Sequence, residues 1–242
     1  MNHGTATLTN VTISGNSASF SGSGIEQVGH ITLINVTLSG NSGGVGESIS
    51  FADPSIYNVA TTMRNTLLAE AGGGGNCYSA EPFAITGDHN LSDDNTCGFG
   101  DTGHGADNVT NLLLGPLANN GGLTMTHLPQ AGSAAIDAGN SNGAPSTDQR
   151  GVPRPRFAGV DVGAVEYQPL IDSTRANISY DGWAGVSDRF ANGGYYRISN
   201  TANDVTTYGF SGTSIKWIAR KGPEMNRLRH DRWSEQGELR SL

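Results

Sequence analysis

The chain has 242 residues and a formal net charge of −8 at pH 7, and thirteen of its fourteen Lys and Arg lie from Arg150 onward. Binding to nucleic acid needs clustered Lys and Arg, so residues 1–149, where Arg64 is the one Lys or Arg, are excluded as a nucleic-acid surface. No run approaches the roughly 18 apolar residues of a membrane span, so no transmembrane segment is predicted.

A close repeat organises the first part of the chain. Residues 6–18 (ATLTNVTISGNSA) return 25 positions later as residues 31–43 (ITLINVTLSGNSG). Small and β-branched residues dominate and nothing recurs at helical spacing, which predicts short strands. The alternation of apolar residues slips at Asn10. We expect a corner between two strands there, because Asn tolerates the left-handed backbone conformation.

A third, weaker copy spans residues 62–69, and a marginal fourth places Asn90 at the repeated Asn position. Units that recur every 20–50 residues stack on one another. The spacing therefore predicts a right-handed parallel β-helix with coils of about 25 residues, in which like residues lie above one another. We expect an inward ladder of Asn10, Asn35 and Asn65, each amide bonding the next coil, beside an apolar stack of Leu8, Leu33 and Met63.

The start of the chain bears on its completeness. Met1 leads almost directly into the first repeat, and no signal peptide is visible. A β-helix without a cap would expose an open strand edge at this end. We therefore expect the protein to begin upstream and this chain to be a fragment of it.

The two cysteines, Cys77 and Cys97, are 20 residues apart. A disulfide, two buried thiols and a redox pair are the alternatives for such an isolated pair. The chain has no CxxC motif and no His–Cys ligand set, which disfavours redox and zinc chemistry. Positions 20 apart come close on adjacent coils of about 25 residues. We predict a disulfide, and with it an oxidising, extracytoplasmic location.

Four motifs follow in order: LGPLANNGGLTMTH at 114–127, GSAAIDAG at 132–139, DQRGVPR at 148–154 and DVGAVE at 161–166. The series resembles the choice-of-anchor Q domain, the C-terminal part of many bacterial surface and secreted β-helix proteins. Ala134-Ala135 departs mildly from that pattern, which usually has a proline. The resemblance implies an extracellular or cell-surface bacterial protein, and it defines no catalytic activity.

Charged residues stand as islands among Gly, Ala and Val in this region. A hard-cation site such as Ca²⁺, a carboxylate pair for acid/base hydrolysis and an ion-pair network are the alternatives. Because Arg150 offers a bidentate partner for a carboxylate, we favour the ion-pair network and expect no cofactor. Its predicted members are Asp137, Asp148, Arg150, Asp161 and Glu166.

Pectate lyases and polygalacturonases share the β-helix fold, which makes catalysis an alternative function. A lyase needs Ca²⁺-binding carboxylates and a basic residue, and Arg64 alone is available before residue 150. The Asp93-Asp94 pair and His104 resemble polygalacturonase motifs, but they lie only 10 residues apart and no R-x-K follows. His127 is a lone histidine for which packing or a backbone hydrogen bond is favoured. No catalytic residue is predicted.

Beyond residue 168 aromatic residues cluster, and residues 193–199 and 204–219 alternate as antiparallel strands. This part resembles the start of a jelly-roll β-sandwich module, similar to carbohydrate-binding and galactose-binding-like domains. Since aromatic rings stack on sugars, the resemblance points to Tyr195 and Tyr196 as glycan contacts. Residues 226–242 are basic and polar without alternation, and we expect them to be disordered or frameshifted.

The predicted protein is all-β, with coils of a right-handed parallel β-helix and a partial jelly-roll sandwich. Its function is predicted to be that of a non-catalytic, monomeric stalk or adhesin presenting a glycan- or matrix-binding surface. The alternative is a fragment of a polysaccharide lyase or glycoside hydrolase whose catalytic coils lie upstream. The predicted parts are coils at 1–110, an anchor-Q-like end of the β-helix at 111–168, the sandwich module at 169–225 and the tail at 226–242.

Overall fold

The structure is a computed structural model. It describes residues 4–168 in full and, beyond them, the backbones of residues 178–181, 184–187, 195–198, 205–208 and 238–240. The chain divides into two compact units, Met1–Pro169 and Leu170–Leu242.

Short strands make up almost all of the regular structure in the described part of the first unit, which confirms the prediction of an all-β chain. Its elements are β1 (Thr5–Ser14), β2 (Ile25–Gln27), β3 (His30–Ser39), β4 (Ile49–Phe51), β5 (Ala60–Arg64), β6 (Leu67–Ala69), β7 (Cys77–Ser79), β8 (Ile85–Thr86), β9 (Asn90–Ser92), α1 (Phe99–Thr102) and β10 (Gly105–Ala106).

All pairings between these strands are parallel. The larger sheet contains β1, β3, β5, β6, β8, β9 and β10, and a second sheet contains β2, β4 and β7. Leu8 pairs with Leu33, Leu33 with Met63, and Thr61 with Ile85, so the chain returns to the sheet after 25, 30 and 24 residues. The repeated sequence therefore stacks in register, like on like.

The larger sheet curls at the repeated asparagine. β3 pairs with β5 through His30–Ile34 and with β6 through Thr37–Ser39. Asn35 lies between the two paired stretches with φ 51°, and Asn10 and Asn65 are also left-handed, at 55° and 51°. Asn adopts this conformation more readily than other residues with a Cβ, which explains why the strand can turn there.

The fourth repeat differs from the prediction. Leu67 pairs with Leu91, a register that aligns His89 with Asn65, and His89 carries the left-handed φ of 55°. Asn90 is instead buried in strand conformation, where its Nδ2 donates to the carbonyl oxygens of Met63 at 2.9 Å and His104 at 3.0 Å. The corner is thus one residue earlier than expected, because Asn90 is used to join neighbouring strands.

The inner face of the curled sheet encloses a continuous apolar core. Leu33 and Met63 are fully buried one above the other, and Leu8 packs partly buried beside them. Phe99 of α1 is also fully buried and belongs to this core. Each such side chain contributes about 1.5–3 kcal/mol through burial.

A second apolar core lies on the opposite face of β6 and β9. Leu67 and Leu91 point into it and meet Leu112, Ala135 and Val162 from later in the chain. Residues 111–168, hereafter the covering segment, contain only isolated bridges such as Leu114 to Pro129 and Gly139 to Val160. This apolar contact helps hold the covering segment against the strands.

The second unit is described through five antiparallel strands. β14 pairs with both β11 and β15, and β12 pairs with β13. β15 lies in the tail 226–242, whose other residues are outside the described part of the chain, so the expectation that the tail is disordered or frameshifted stays a prediction. No helix in the described parts of the chain is long and apolar enough to cross a membrane. The strands are β11 (Ile178–Asp181), β12 (Ala184–Ser187), β13 (Tyr195–Ile198), β14 (Val205–Tyr208) and β15 (Glu238–Arg240).

Candidate functional site

The repeated asparagines hold the covering segment. Asn10 Nδ2 donates to the Thr147 carbonyl at 2.6 Å. Asn35 Nδ2 donates to two carbonyls, those of Asp161 at 3.1 Å and Gly163 at 3.2 Å. The covering segment has few strand partners, so its carbonyl oxygens need donors from elsewhere. The corner asparagines supply them.

The expected ladder forms only in part. Asn65 Nδ2 donates to Asn35 Oδ1 at 3.2 Å, as a ladder requires, and also to the Asn140 carbonyl at 2.9 Å. Asn10 makes no such bond to Asn35. Its amide is turned to the covering segment, and its Oδ1 lies 3.5 Å from Arg154 Nη2. The prediction missed this use because it considered only neighbouring coils as partners.

Hydroxyl groups on the same strands make further contacts with the covering segment. Thr37 Oγ1 accepts from the Ala164 amide at 2.9 Å. Ser14 Oγ lies 2.8 Å from His127 Nε2, and His127 Nδ1 lies 2.7 Å from the Gly115 carbonyl oxygen. Both ring nitrogens of this buried histidine are therefore engaged, which favours a structural role over general base catalysis.

Two buried ion pairs lie in the covering segment. Arg150 binds Asp148 Oδ2 through Nη2 at 2.7 Å and Nε at 3.0 Å. Arg154 Nη1 binds Glu166 Oε1 at 2.6 Å. All four side chains are at most 2% exposed. Arg154 was not among the predicted members of the network, although it ends the DQRGVPR motif that was singled out.

Backbone amides satisfy the carboxylates further. Asp148 Oδ1 accepts from the backbone amides of Arg150 at 2.7 Å and Val152 at 3.0 Å. Asp148 Oδ2 accepts from the backbone amide of Glu166 at 2.9 Å. The Glu166 carboxylate accepts from the backbone amide of Asp161 through Oε1 at 3.0 Å and from the backbone amide of Arg156 through Oε2 at 2.9 Å. Each carboxylate therefore fixes the backbone of another part of the segment.

Asp161 and Asp137 join the same network through the backbone. Asp161 Oδ1 accepts from the Asp137 amide at 2.8 Å, and its Oδ2 accepts from the Tyr167 amide. Asp137 Oδ1 accepts from the Gly159 amide at 2.9 Å. Asp137 has a left-handed φ of 56°. The structure thus brings the five predicted residues into one network, with Arg154 as a sixth member.

Burial shifts two titratable groups of this network. The pKa of Asp161 is raised to about 6, chiefly by burial. The amides of Asp137 and Tyr167 oppose this rise, and the nearby charges of Glu166 and Asp137 add to it. Burial also lowers the pKa of the Arg154 guanidinium, against the charges of Glu166, Asp148 and Asp161. A guanidinium stays protonated in proteins, so Arg154 remains the cation that balances Glu166.

The arrangement favours the ion-pair interpretation over acid/base chemistry. A hydrolytic pair needs carboxylates that reach a substrate, whereas Asp148, Asp161 and Glu166 are at most 3% exposed and are bonded within the segment. Within residues 4–168, no group of three or more His, Cys, Asp or Glu is arranged to hold a metal ion. The guanidinium groups of Arg150 and Arg154 lie where a cation would neutralise the carboxylates.

The Asp93-Asp94 pair and His104 are also held by neighbours. Asp93 accepts from the Glu70 amide at 2.7 Å and from Asn76 Nδ2 at 2.7 Å. Asp94 accepts from the Asn76 amide at 2.7 Å. His104 Nδ1 lies 2.7 Å from the Gly87 carbonyl oxygen. These contacts favour the interpretation of a structural loop.

Cys77 and Cys97 form a disulfide, with their Cα atoms 5.0 Å apart. The bond links β7 to the residues that lead into α1. Closing a loop of this length contributes about 3 kcal/mol in the chain-entropy model. The disulfide stands beside an open groove of about 610 Å³, whose lining includes Ser79, Glu81, Phe83, Asp101 and His104.

Tyr195 and Tyr196 lie in β13, where the structure describes the backbone alone. Their side chains are outside the described residues, so their role as glycan contacts stays a prediction.

Comparison with protein-family models, curated proteins and solved structures gives no match for this chain.

Proposed function

We propose that the first unit is a right-handed parallel β-helix of the choice-of-anchor Q kind. We further propose that the chain is a secreted or cell-surface stalk or adhesin that presents a glycan- or matrix-binding surface. Three features support the fold. The chain returns to the same strands after 24–30 residues, the pairings are parallel, and left-handed residues stand at one repeated corner. The disulfide supports an extracytoplasmic location, since such bonds persist in oxidising compartments.

The observation that carries the non-catalytic role is the state of the network carboxylates. Asp148 and Glu166 are buried, and each accepts from one arginine and from backbone amides. A carboxylate held in this way fixes the chain and has no lone pair directed at a substrate. The carboxylates therefore fix the covering segment internally, and separate bonds from Asn10, Asn35 and Thr37 hold it to the strands.

Binding and turnover assays on the purified full chain test this proposal. The protein is screened against immobilised polysaccharides, and in parallel for reducing ends and unsaturated uronate products, with heat-denatured protein as the control. Binding without turnover is the expected result. Turnover would overturn the proposal in favour of a polysaccharide lyase or glycoside hydrolase. Absence of both would overturn the glycan-presenting part of it.

A further inference from the structure

The groove beside the disulfide combines an aromatic wall with carboxylates. Phe83 stacks on the buried Phe51, with ring centroids 4.3 Å apart and 17° between the planes. One face of Phe83 is therefore covered from inside, and the half-buried remainder of the ring contributes to the lining of the groove. An aromatic face held rigidly from behind is suited to packing against the C–H face of a sugar ring.

Polar groups beside this ring match a polyhydroxylated ligand. His104 Nδ1 faces the Gly87 carbonyl at 2.7 Å, and since a carbonyl can only accept, Nδ1 carries the proton. In the neutral ring, Nε2 is then an acceptor for a hydroxyl group. The exposed Asn95 and Thr102 also lie in the lining and add amide and hydroxyl groups.

The charge of the groove selects between sugars. The exposed carboxylates of Glu81 and Asp101 lie in the lining, which contains no Lys or Arg. A uronate would meet like charge without a compensating cation, whereas a neutral or amino sugar would not. The disulfide ties the two walls, one following Cys77 and the other containing Cys97. The groove is thereby preorganised, which reduces the entropic cost of binding.

We infer that this groove binds one unit of a non-acidic saccharide, a neutral or amino hexose, with Phe83 as the stacking platform. The inference rests on the proposed glycan-presenting function and names its ligand class and place. It is independent of Tyr195 and Tyr196.

Calorimetric titration of the full chain tests the site with four pentasaccharide probes: N-acetylchitopentaose, its deacetylated form, cellopentaose and pentagalacturonate. We expect binding of at least one of the first three and at least tenfold weaker binding of pentagalacturonate. Phe83→Ala should weaken the bound probe about tenfold, the loss of one aromatic contact. Asp101→Asn removes one negative charge from the groove, so it should reduce the difference in affinity between the bound probe and pentagalacturonate. Tyr57 is an exposed aromatic residue outside the groove. Tyr57→Ala should therefore leave both the affinity for the bound probe and its difference from pentagalacturonate unchanged.

The outcomes separate this site from the wider proposal. Phe83→Leu keeps an apolar contact to Phe51, so this variant should fold. If its circular dichroism is unchanged and saccharide binding is lost, the loss is due to the missing aromatic ring. Saccharide binding that survives Phe83→Ala and Phe83→Leu would overturn the groove and leave the glycan-presenting function in place. Tightest binding of pentagalacturonate would also overturn the groove. Failure of all four probes would overturn the ligand class, while the polysaccharide screen decides the function separately.

Discussion

Arg154 Nη1 lies 2.6 Å from Glu166 Oε1 with both side chains 1% exposed. The same guanidinium donates to the carbonyl oxygens of Asp161 at 3.1 Å and Gly163 at 2.9 Å. These two carbonyls also accept from Asn35 Nδ2. A cation of the covering segment and an amide of the repeat thus share the same two acceptors, and this junction joins the two halves of the first unit.

Replacing Arg154 should be strongly destabilising. Arg154→Met leaves the buried Glu166 carboxylate without its cation, and we expect a loss of about 3–5 kcal/mol in the free energy of unfolding. Urea unfolding followed by far-ultraviolet circular dichroism measures it. Arg156→Ala removes an exposed arginine two residues away and should cost less than about 1 kcal/mol. Equal effects of the two substitutions would contradict the assignment of Arg154 as the central cation.

The raised pKa of Asp161 predicts a pH dependence of stability. The folded state binds a proton at Asp161 up to pH about 6, whereas the unfolded chain releases it near pH 3.9. Stability from this group is therefore full below about pH 4 and is lost as the pH rises through 6. Because Asn cannot titrate, the unfolding free energy of the wild type minus that of Asp161→Asn should fall by about 2 kcal/mol between pH 4 and 7.

Parallel urea titrations of wild type and Asp161→Asn at several pH values make this comparison. Taking the difference cancels the other carboxylates, which titrate in both proteins. A difference that stays flat, or that rises with pH, would show that the Asp137 and Tyr167 amides outweigh burial at this carboxyl.

The corner asparagine allows conformation and hydrogen bonding to be separated. Asn35→Ala loses the amide and puts a non-Asn side chain at φ 51°, so we expect a cost of about 3 kcal/mol or more. Asn35→Gly loses the same amide without the steric penalty and should be about 1 kcal/mol less destabilising. Amide hydrogen exchange across residues 161–166 should rise in both variants. Asn10→Ala, at a half-buried corner with one donated bond, is the matched comparison and should cost less.

The repeat made the strand stacking predictable. Leu8, Leu33 and Met63 align by their spacing alone, and an Asn at the slip in alternation indicated a left-handed corner. The same argument placed the fourth corner at Asn90. The corner lies at His89. A register shift of one residue leaves no mark in so weak a repeat, so the sequence could not indicate it.

The contacts across the covering segment were beyond the sequence. Asp148 and Arg150 are two residues apart, and their pairing could be anticipated from local geometry. The hydrogen bond from Asn10 to Thr147 joins residues 137 apart in the sequence. Thr147 lies in the covering segment, which has almost no strand structure, so no sequence periodicity predicts the bond. Arg154 was visible in a motif, but whether an arginine is buried depends on tertiary packing.

The covering segment changes how the first unit should respond to force and heat. In a simple solenoid each repeat touches only its neighbours, and unfolding proceeds one repeat at a time. Here β1, β3 and the corner before β6 are all bonded to residues 140–164. Fraying of the first strand must therefore break contacts made near residue 147, and the array is expected to melt in a single cooperative transition. The same long-range contacts are expected to slow folding, because the early repeats obtain these partners only from residues 140–164.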